Sequence, residues 1–315
     1  MSSTGEAEPP LPALAVRHLI SQRKVVTALA GVVADSLLRA GGGSRRSSSE
    51  LPGPELVEEL APPSERLVRD YLRHVGADVR AHRGTIPPHL FPHWSFPLAA
   101  RSLLGLPYRL LSAVNGGCRL VLRAPLALNQ PLRVRARLVA IKDDGRRAVL
   151  QQRVVTGQAG CELALAADLY VIVPSAAGRG SPARGERPVR DRPSVPEGAS
   201  ELSRLQLSSN AGLAYAILTG DFNPIHWLGA YARAAGFQGP LLHGFALLAR
   251  VIEALQARRF GGSSDRLESI DVRFASPLYL PSEVGLYVTG HELFVGRAAG
   301  EPAYLTASFQ EKLRR

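Results

Sequence analysis

Residues 215–248 read YAILTGDFNPIHWLGAYARAAGFQGPLLHGFALL, and the reading of this stretch decides the fold. An acid and an imidazole, Asp221 and His226, stand five residues apart with Pro224 between them. On a helix that spacing would send the two side chains to separate faces, and Pro224 also disfavours helical geometry at Asn223. DFNPIH is therefore expected to form a tight loop able to aim both side chains at one point. Gly239 and Pro240 lead to Leu241, Leu242, His243 and Gly244, and then to an apolar run, FALLARVIEAL, long enough for a buried helix. The first turn of a helix carries unpaired N–H groups at its positive end, and these suit an oxyanion that develops during a reaction.

Thr219, Gly220, Asp221, Asn223, Pro224, His226, Ala235, Gly236, Phe237, His243 and Gly244 carry a resemblance. At this spacing the stretch resembles the signature of the MaoC-like, R-specific enoyl-CoA hydratases. The resemblance implies an α+β hotdog fold, an antiparallel sheet wrapped around one long helix. It also implies that Asp221 and His226 are the catalytic pair and that the Gly244 amide binds the thioester oxygen. Two positions depart from the family pattern. Leu228 stands where relatives often have an acid that can cap the next helix, and Phe245 stands where methionine is usual. Neither removes a proposed catalytic group, but both bear on the shape of an acyl pocket.

Adding water across a trans-2-enoyl thioester needs a group to take a proton from water, a group to deliver one to the alpha carbon, and a donor for the enolate oxygen. Asp221 and His226 can hold one water between them and handle both protons. The Gly244 amide meets the third need. Burial should raise the proton affinity of the acid and a charged histidine should lower it, so the sequence leaves the balance open. Asn223 either fixes the loop through a hydrogen bond or is an ordinary turn asparagine. With Gly244, Asn223 and His243 are the expected substrate-binding residues, and His243 is expected to orient the helix entry rather than react. Tyr215, Phe222, Trp227 and Phe237 are expected in the core.

Composition narrows the alternatives. An apolar fraction of 45% and a charged fraction of 21% fit a soluble globular chain with a sizeable core, and 315 residues hold two ordinary domains or one duplicated domain with an extension. The net charge of +11 lies mostly in the first 200 residues: residues 201–315 hold 11 Lys and Arg against 10 Asp and Glu, leaving 38 − 11 = 27 basic and 27 − 10 = 17 acidic groups before them. The arginines are scattered, without aromatic interleaving or a nucleic-acid module, so no nucleic-acid partner is expected. Such a surface suits the phosphates of coenzyme A or an acidic carrier protein. Two cysteines, Cys118 and Cys161, make no disulfide framework and point to a reducing compartment, the cytoplasm or an organelle such as a mitochondrion or peroxisome. No phosphate-cradling glycine loop, metal-ligand spacing or Ser-centred nucleophile motif occurs, so neither cofactor nor metal is expected.

Along the chain, residues 1–85 read as an N-terminal extension, partly disordered and partly helical. Within it, residues 13–38 form an amphipathic helix packed on the body or, alternatively, a membrane-surface anchor or targeting segment. GGGSRRSSSE at residues 41–50 reads as a flexible linker, and ELVEEL and SERLVRDYLRHVG read as short helices. Residues 86–174 offer a Pro-opened helical run over residues 89–114, then β-type runs with a hairpin turn at Gly145. Residues 175–200, rich in Pro, Gly, Ser and Arg, read as the interdomain linker, and residues 201–315 as the second unit. LRAPLALNQPLRV at residues 122–134 aligns with FASPLYLPSEVGL at residues 274–286, placing Pro125 on Pro277 and Leu126 on Leu278. With the matching element order this favours a tandem, double hotdog fold.

No counterpart of the DFNPIH loop precedes the first helix candidate, which His89, His93 and Trp94 flank, so the first unit is expected to be non-catalytic. By the resemblance, an inactive first unit frees space for a long or bulky acyl chain. The function expected is a hydro-lyase, interconverting trans-2-enoyl and (R)-3-hydroxyacyl thioesters of CoA. The alternatives are a carrier-protein-linked 3-hydroxyacyl dehydratase and a non-catalytic thioester-binding subunit. Assembly as a homodimer is compatible with all three.

Overall fold

A computed structural model describes residues 18–22, 27, 50–108, 110–174 and 192–312. The expected start at residues 1–12, most of the helix at 13–38, the linker at 41–49 and residues 175–191 of the interdomain linker lie outside the described residues. No helix of the described residues is long and apolar enough to cross a membrane.

The first half contributes five strands to the main sheet: β1 (Leu56–Leu60), β3 (Val114–Leu122), β5 (Leu132–Asp143), β6 (Arg147–Gln158) and β7 (Cys161–Pro174). The second contributes β8 (Ser200–Leu207), β9 (Leu267–Phe274), β10 (Ser282–Thr289), β11 (Glu292–Gly296) and β12 (Leu305–Glu311). Their order in space is β1-β5-β6-β7-β3-β9-β12-β11-β10-β8, one sheet of ten strands among the described residues. Read outward from the centre, each half runs through the same succession: the strand after its central helix, then the last, the third and the second strands, and at the edge the strand that precedes the helix. The halves meet where β3 and β9 pair antiparallel, from Gly117↔Arg273 to Val121↔Ser269. Gly117 is needed there: its φ is 149°, and a Cβ would lie 2.0 Å from the Val272 carbonyl oxygen. This duplicated succession is the tandem hotdog expected from the sequence.

Each half wraps a helix. The first holds α2 (Pro92–Ser102) against β5, β1 and β6, after α1 (Glu65–Val75), which is capped by Ser64 and closed by Gly76 in the left-handed region. The second holds α3 (Ala211–Thr219), α4 (Gly229–Ala234) and the long α5 (Gly244–Arg258). Helix α5 is buried on nearly every side, as its apolar run requires. Its two buried charges are both engaged. Arg250 donates to the Ala246 and His74 carbonyls, and Glu253 accepts from His82 and His89 at 2.8 and 2.6 Å.

Two elements differ from the sequence reading. ELVEEL is not a helix. Its residues 56–60 form β1, paired with β5 from Leu56↔Ala136 to Leu60↔Leu132, so the first half's sheet takes its edge strand from the residues read as extension. Tertiary pairing overrides the helical preference of Glu and Leu here. The helical run expected over residues 89–114 stops at Ser102, because Gly105 adopts a φ of 89° and Pro107 follows. Within the segment read as interdomain linker, Val195 is fully buried, and Pro193 and Val195 are hydrogen-bonded to Ala303 and Glu301 of the second half.

The Pro125/Pro277 alignment also has a structural counterpart. Leu126 and Ala127 form β4 and pair with β2 (Thr85–Ile86) just ahead of α2. Tyr279 bridges Leu241 just ahead of α5.

Candidate active site

Helix α3 ends at Gly220, whose φ of 87° turns the chain out of the helix and whose N–H donates to the Ala216 carbonyl at 2.7 Å. Asp221 and Phe222 follow, and residues 224–226 make a single 3-10 turn. Asn223 caps this turn by accepting from the Ile225 N–H at 3.3 Å, so its side chain shapes the loop. The loop is braced from two sides. The His226 Nδ1–H donates to the Leu241 carbonyl at 2.8 Å, and the Leu241 N–H returns a bond of 3.3 Å to the Ile225 carbonyl. Behind it, Gly212 of α3 approaches so closely that a Cβ would stand 2.0 Å from the His226 carbonyl oxygen.

Asp221, His226 and His243 present ligand-type atoms within 4.8 Å of one another. Asp221 and His226 are thus neighbours without a direct hydrogen bond between their side chains, a separation that a single water can bridge with two bonds of about 2.8 Å each. The Asp221 side chain is 21% exposed, at the floor of a cleft. Burial raises the proton affinity of its carboxyl, and the His226 ring and the Asn223 N–H only partly oppose that rise. Burial likewise lowers the proton affinity of His226 against the pull of Asp221. Desolvation therefore wins in both, which settles the balance the sequence left open, and it brings the two groups toward each other in strength.

His243 sits behind the pair. Its Nε2–H donates to the Asp221 main-chain carbonyl at 3.0 Å, and its ring stacks on His226 with centroids 3.6 Å apart. Its Nδ1 is buried without a partner, and burial holds the ring well below ordinary histidine basicity. The ring borders the cleft, and its Nε2 bond and its stacking on His226 support the loop and the stacked ring. Gly244 opens α5 next to this group. A Cβ on Gly244 would lie 2.7 Å from the Phe274 ring, so this close packing of the helix start excludes any side chain.

A cleft of about 450 Å³ opens from Asp221, Asn223 and His226. Beyond Gly244 and Phe245 it runs into the first half, where Phe96, Ala99 and Ala100 of α2, Leu103 just past its end, and Leu169 and Val171 of β7 line it. Phe245 is the hinge of this wall, in edge contact with Phe91, Phe96 and Phe274 at centroid distances of 5.2, 5.7 and 5.7 Å. Of the aromatic residues expected in the core, Tyr215 is buried, but Phe237 lines the cleft and Trp227 is 37% exposed. Leu228, at the position of the missing acid, starts α4 without a side-chain cap.

Sequence spacing hid two further features. The cleft residues of the first half belong to no motif. The His82, His89 and Glu253 cluster joins residues far apart in the chain, all buried, with ligand-type atoms within 4.8 Å. In that cluster both Nε2 atoms already face one carboxylate oxygen at hydrogen-bond distance, and Tyr71 holds His89 Nδ1 at 3.0 Å. His93 is partly buried with an unpartnered Nδ1, and Trp94 donates to Thr156 at 3.0 Å.

Residues 194–298 match the family model described as MaoC like domain. The chain is 26% identical over 286 residues to 3-hydroxyacyl-thioester dehydratase X of Mycobacterium tuberculosis, covering 87% of this chain and 96% of that protein. It is also 26% identical over 224 residues to the mouse peroxisomal multifunctional enzyme type 2, covering 66% of this chain but only 30% of the enzyme's length. Among solved structures, that of HtdX of Mycobacterium tuberculosis superposes with a TM-score of 0.65 at 21% identity, over 82% of this chain and all of that one. At that identity the likeness carries the fold.

Proposed function

We propose, for a chain that belongs to the MaoC-like proteins through residues 194–298, that it is a hydro-lyase interconverting trans-2-enoyl and (R)-3-hydroxyacyl thioesters. The observation that carries this reading is the meeting of Asp221 and His226 beside the start of α5, at the floor of a cleft with apolar walls. In hydration one O–H bond of the bridging water breaks, its oxygen bonds to C3, and the Asp221–His226 pair takes up that proton. The electrons of the double bond move toward the thioester carbonyl, and the enolate oxygen is received by the Gly244 N–H at the positive end of α5. The pair then delivers one proton to C2, so it ends the turnover with the protons it began with. Burial raises the proton affinity of Asp221 and lowers that of His226, and shifts in these directions suit the exchange.

Asn223 and His243 hold the loop in the reading, and the first half supplies the wall for the acyl tail. The printed name of the mycobacterial relative, a 3-hydroxyacyl-thioester dehydratase, supports the substrate class. The free cysteines, Cys118 buried and Cys161 half-buried, suit a reducing compartment. Purified protein is expected to hydrate trans-2-enoyl-CoA to the R product. Comparing CoA-bound with carrier-bound substrate at rising salt separates the two thioester carriers, since docking of an acidic carrier weakens with ionic strength. Absence of turnover on either carrier contradicts the reading.

A further inference from the structure

The wall that the first half lends to the cleft is apolar except at Asn115 of β3, whose Oδ1 accepts from the Gly117 N–H, and at Gln152 of β6, and the hydrogen bonds of Gln152 fix which way its carboxamide faces. Nε2 donates to the Ala99 carbonyl and to Ser102 Oγ, the latter at 2.7 Å, while Ser102 itself donates to the Ala99 carbonyl at 2.9 Å. A carbonyl oxygen can only accept, so the nitrogen must point at α2 and the amide cannot be flipped. The oxygen is left over: no donor among the described residues reaches Oε1, and it is not one of the sealed, unpartnered polar atoms. Gln152 is only 2% exposed and lines the cleft, so the opening in front of Oε1 is the cleft itself. Both N–H groups of the amide are spent on α2, which holds the acceptor rigidly in place. An acceptor facing an apolar channel is costly when the ligand opposite it is plain hydrocarbon, and favourable when the ligand brings a donor.

We infer that Gln152 Oε1 is a specificity determinant for acyl thioesters whose tail carries a hydroxyl, which it receives as a hydrogen bond inside the first half of the cleft. This rests on the proposed thioester activity and deepens it. The apolar walls formed by Phe96, Leu103, Leu169 and Val171 favour an acyl tail over the pantetheine arm as the donor's source. A pantetheine amide N–H offers the same chemistry, and the test distinguishes the two.

The test measures kcat/KM on the full chain for a series of trans-2-enoyl-CoA substrates of equal length, plain or with one hydroxyl moved stepwise along the tail. The same series is run with Gln152→Met, which keeps the volume and removes the acceptor. Wild type is expected to prefer one hydroxyl position over the plain tail by about three- to tenfold, the worth of one neutral hydrogen bond. In Gln152→Met that ratio should fall to about one. A flat series in wild type overturns the inference whether or not the variant folds, and so does a preference that survives in Gln152→Met. If the variant instead weakens plain, hydroxylated and short-chain substrates by the same factor, the donor is in the shared pantetheine arm and the tail assignment is wrong. Failure of the underlying thioester reading looks different, because then no member of the series turns over at all.

Discussion

The two halves share one plan, so their differences locate the chemistry. In the second half, the strand bridge at Leu241↔Tyr279 is followed by His243 and Gly244, and α5 begins with a free amide. In the first, the matching bridge at Thr85↔Ala127 is followed, at the same two positions, by Pro87 and Pro88. Proline has no N–H, so neither of these two positions can offer a donor to an oxyanion. Nor is there an acid–histidine loop ahead of it. What the first half keeps is shape: α2 and β7 form the cleft wall, and His82 and His89 clamp Glu253 on α5. In the proposed reading the duplicated fold divides its labour, one copy holding the reacting groups and the other holding their surroundings.

The contrast is broken most severely at the helix start. Gly244→Ala forces a methyl against the Phe274 ring and shifts the amide, so kcat should fall on the order of a hundredfold, the usual cost of one oxyanion donor. Circular dichroism of the variant should still report a folded chain, and unchanged kcat would show that this amide is not the donor. A smaller effect is expected from the other half. Ala100→Phe on α2 narrows the cleft far from Asp221, so long acyl substrates should lose about tenfold in kcat/KM while the shortest enoyl-CoA is unaffected. Equal losses at all lengths would put the tail elsewhere.

The clamp between the halves should show in stability rather than rate. Burial alone would raise the pKa of Glu253, but the His82 and His89 hydrogen bonds more than offset this and hold it at about 2, against 4.5 unfolded. A depressed carboxylate pKa stabilises the fold above pH 4.5, and that stability, on the order of 3 kcal/mol, is lost as pH falls from there toward 2. Glu253→Gln, which removes the negative charge that both histidines face, should therefore lower Tm by roughly 6 to 12 °C at neutral pH and flatten the acid limb. An unchanged acid limb in the variant would remove Glu253 from the account.

The proposed site was legible in the sequence because its residues are local. Asp221, Pro224, His226 and Gly244 lie within one short stretch, whose turn signals mark a loop ahead of a buried helix. The duplication was legible from one proline alignment taken together with the matching element order, and Pro125 and Pro277 occupy the same corner of the two halves. The β1 strand was not, because LVEEL has no strong strand pattern until β5 supplies its hydrogen bonds. Gln152, Phe96 and the His82–His89–Glu253 cluster stayed hidden for a related reason: what they do depends on partners tens to hundreds of residues away, which no spacing records.

The central claim is that one carboxylate and one imidazole in the second half perform the proton transfers. The direct measurement is kcat/KM for hydration of trans-2-enoyl-CoA by Asp221→Asn beside wild type. Asparagine fills the same space but cannot exchange the proton, so a loss of about a thousandfold is expected with the fold unchanged. Activity equal to wild type would contradict the account.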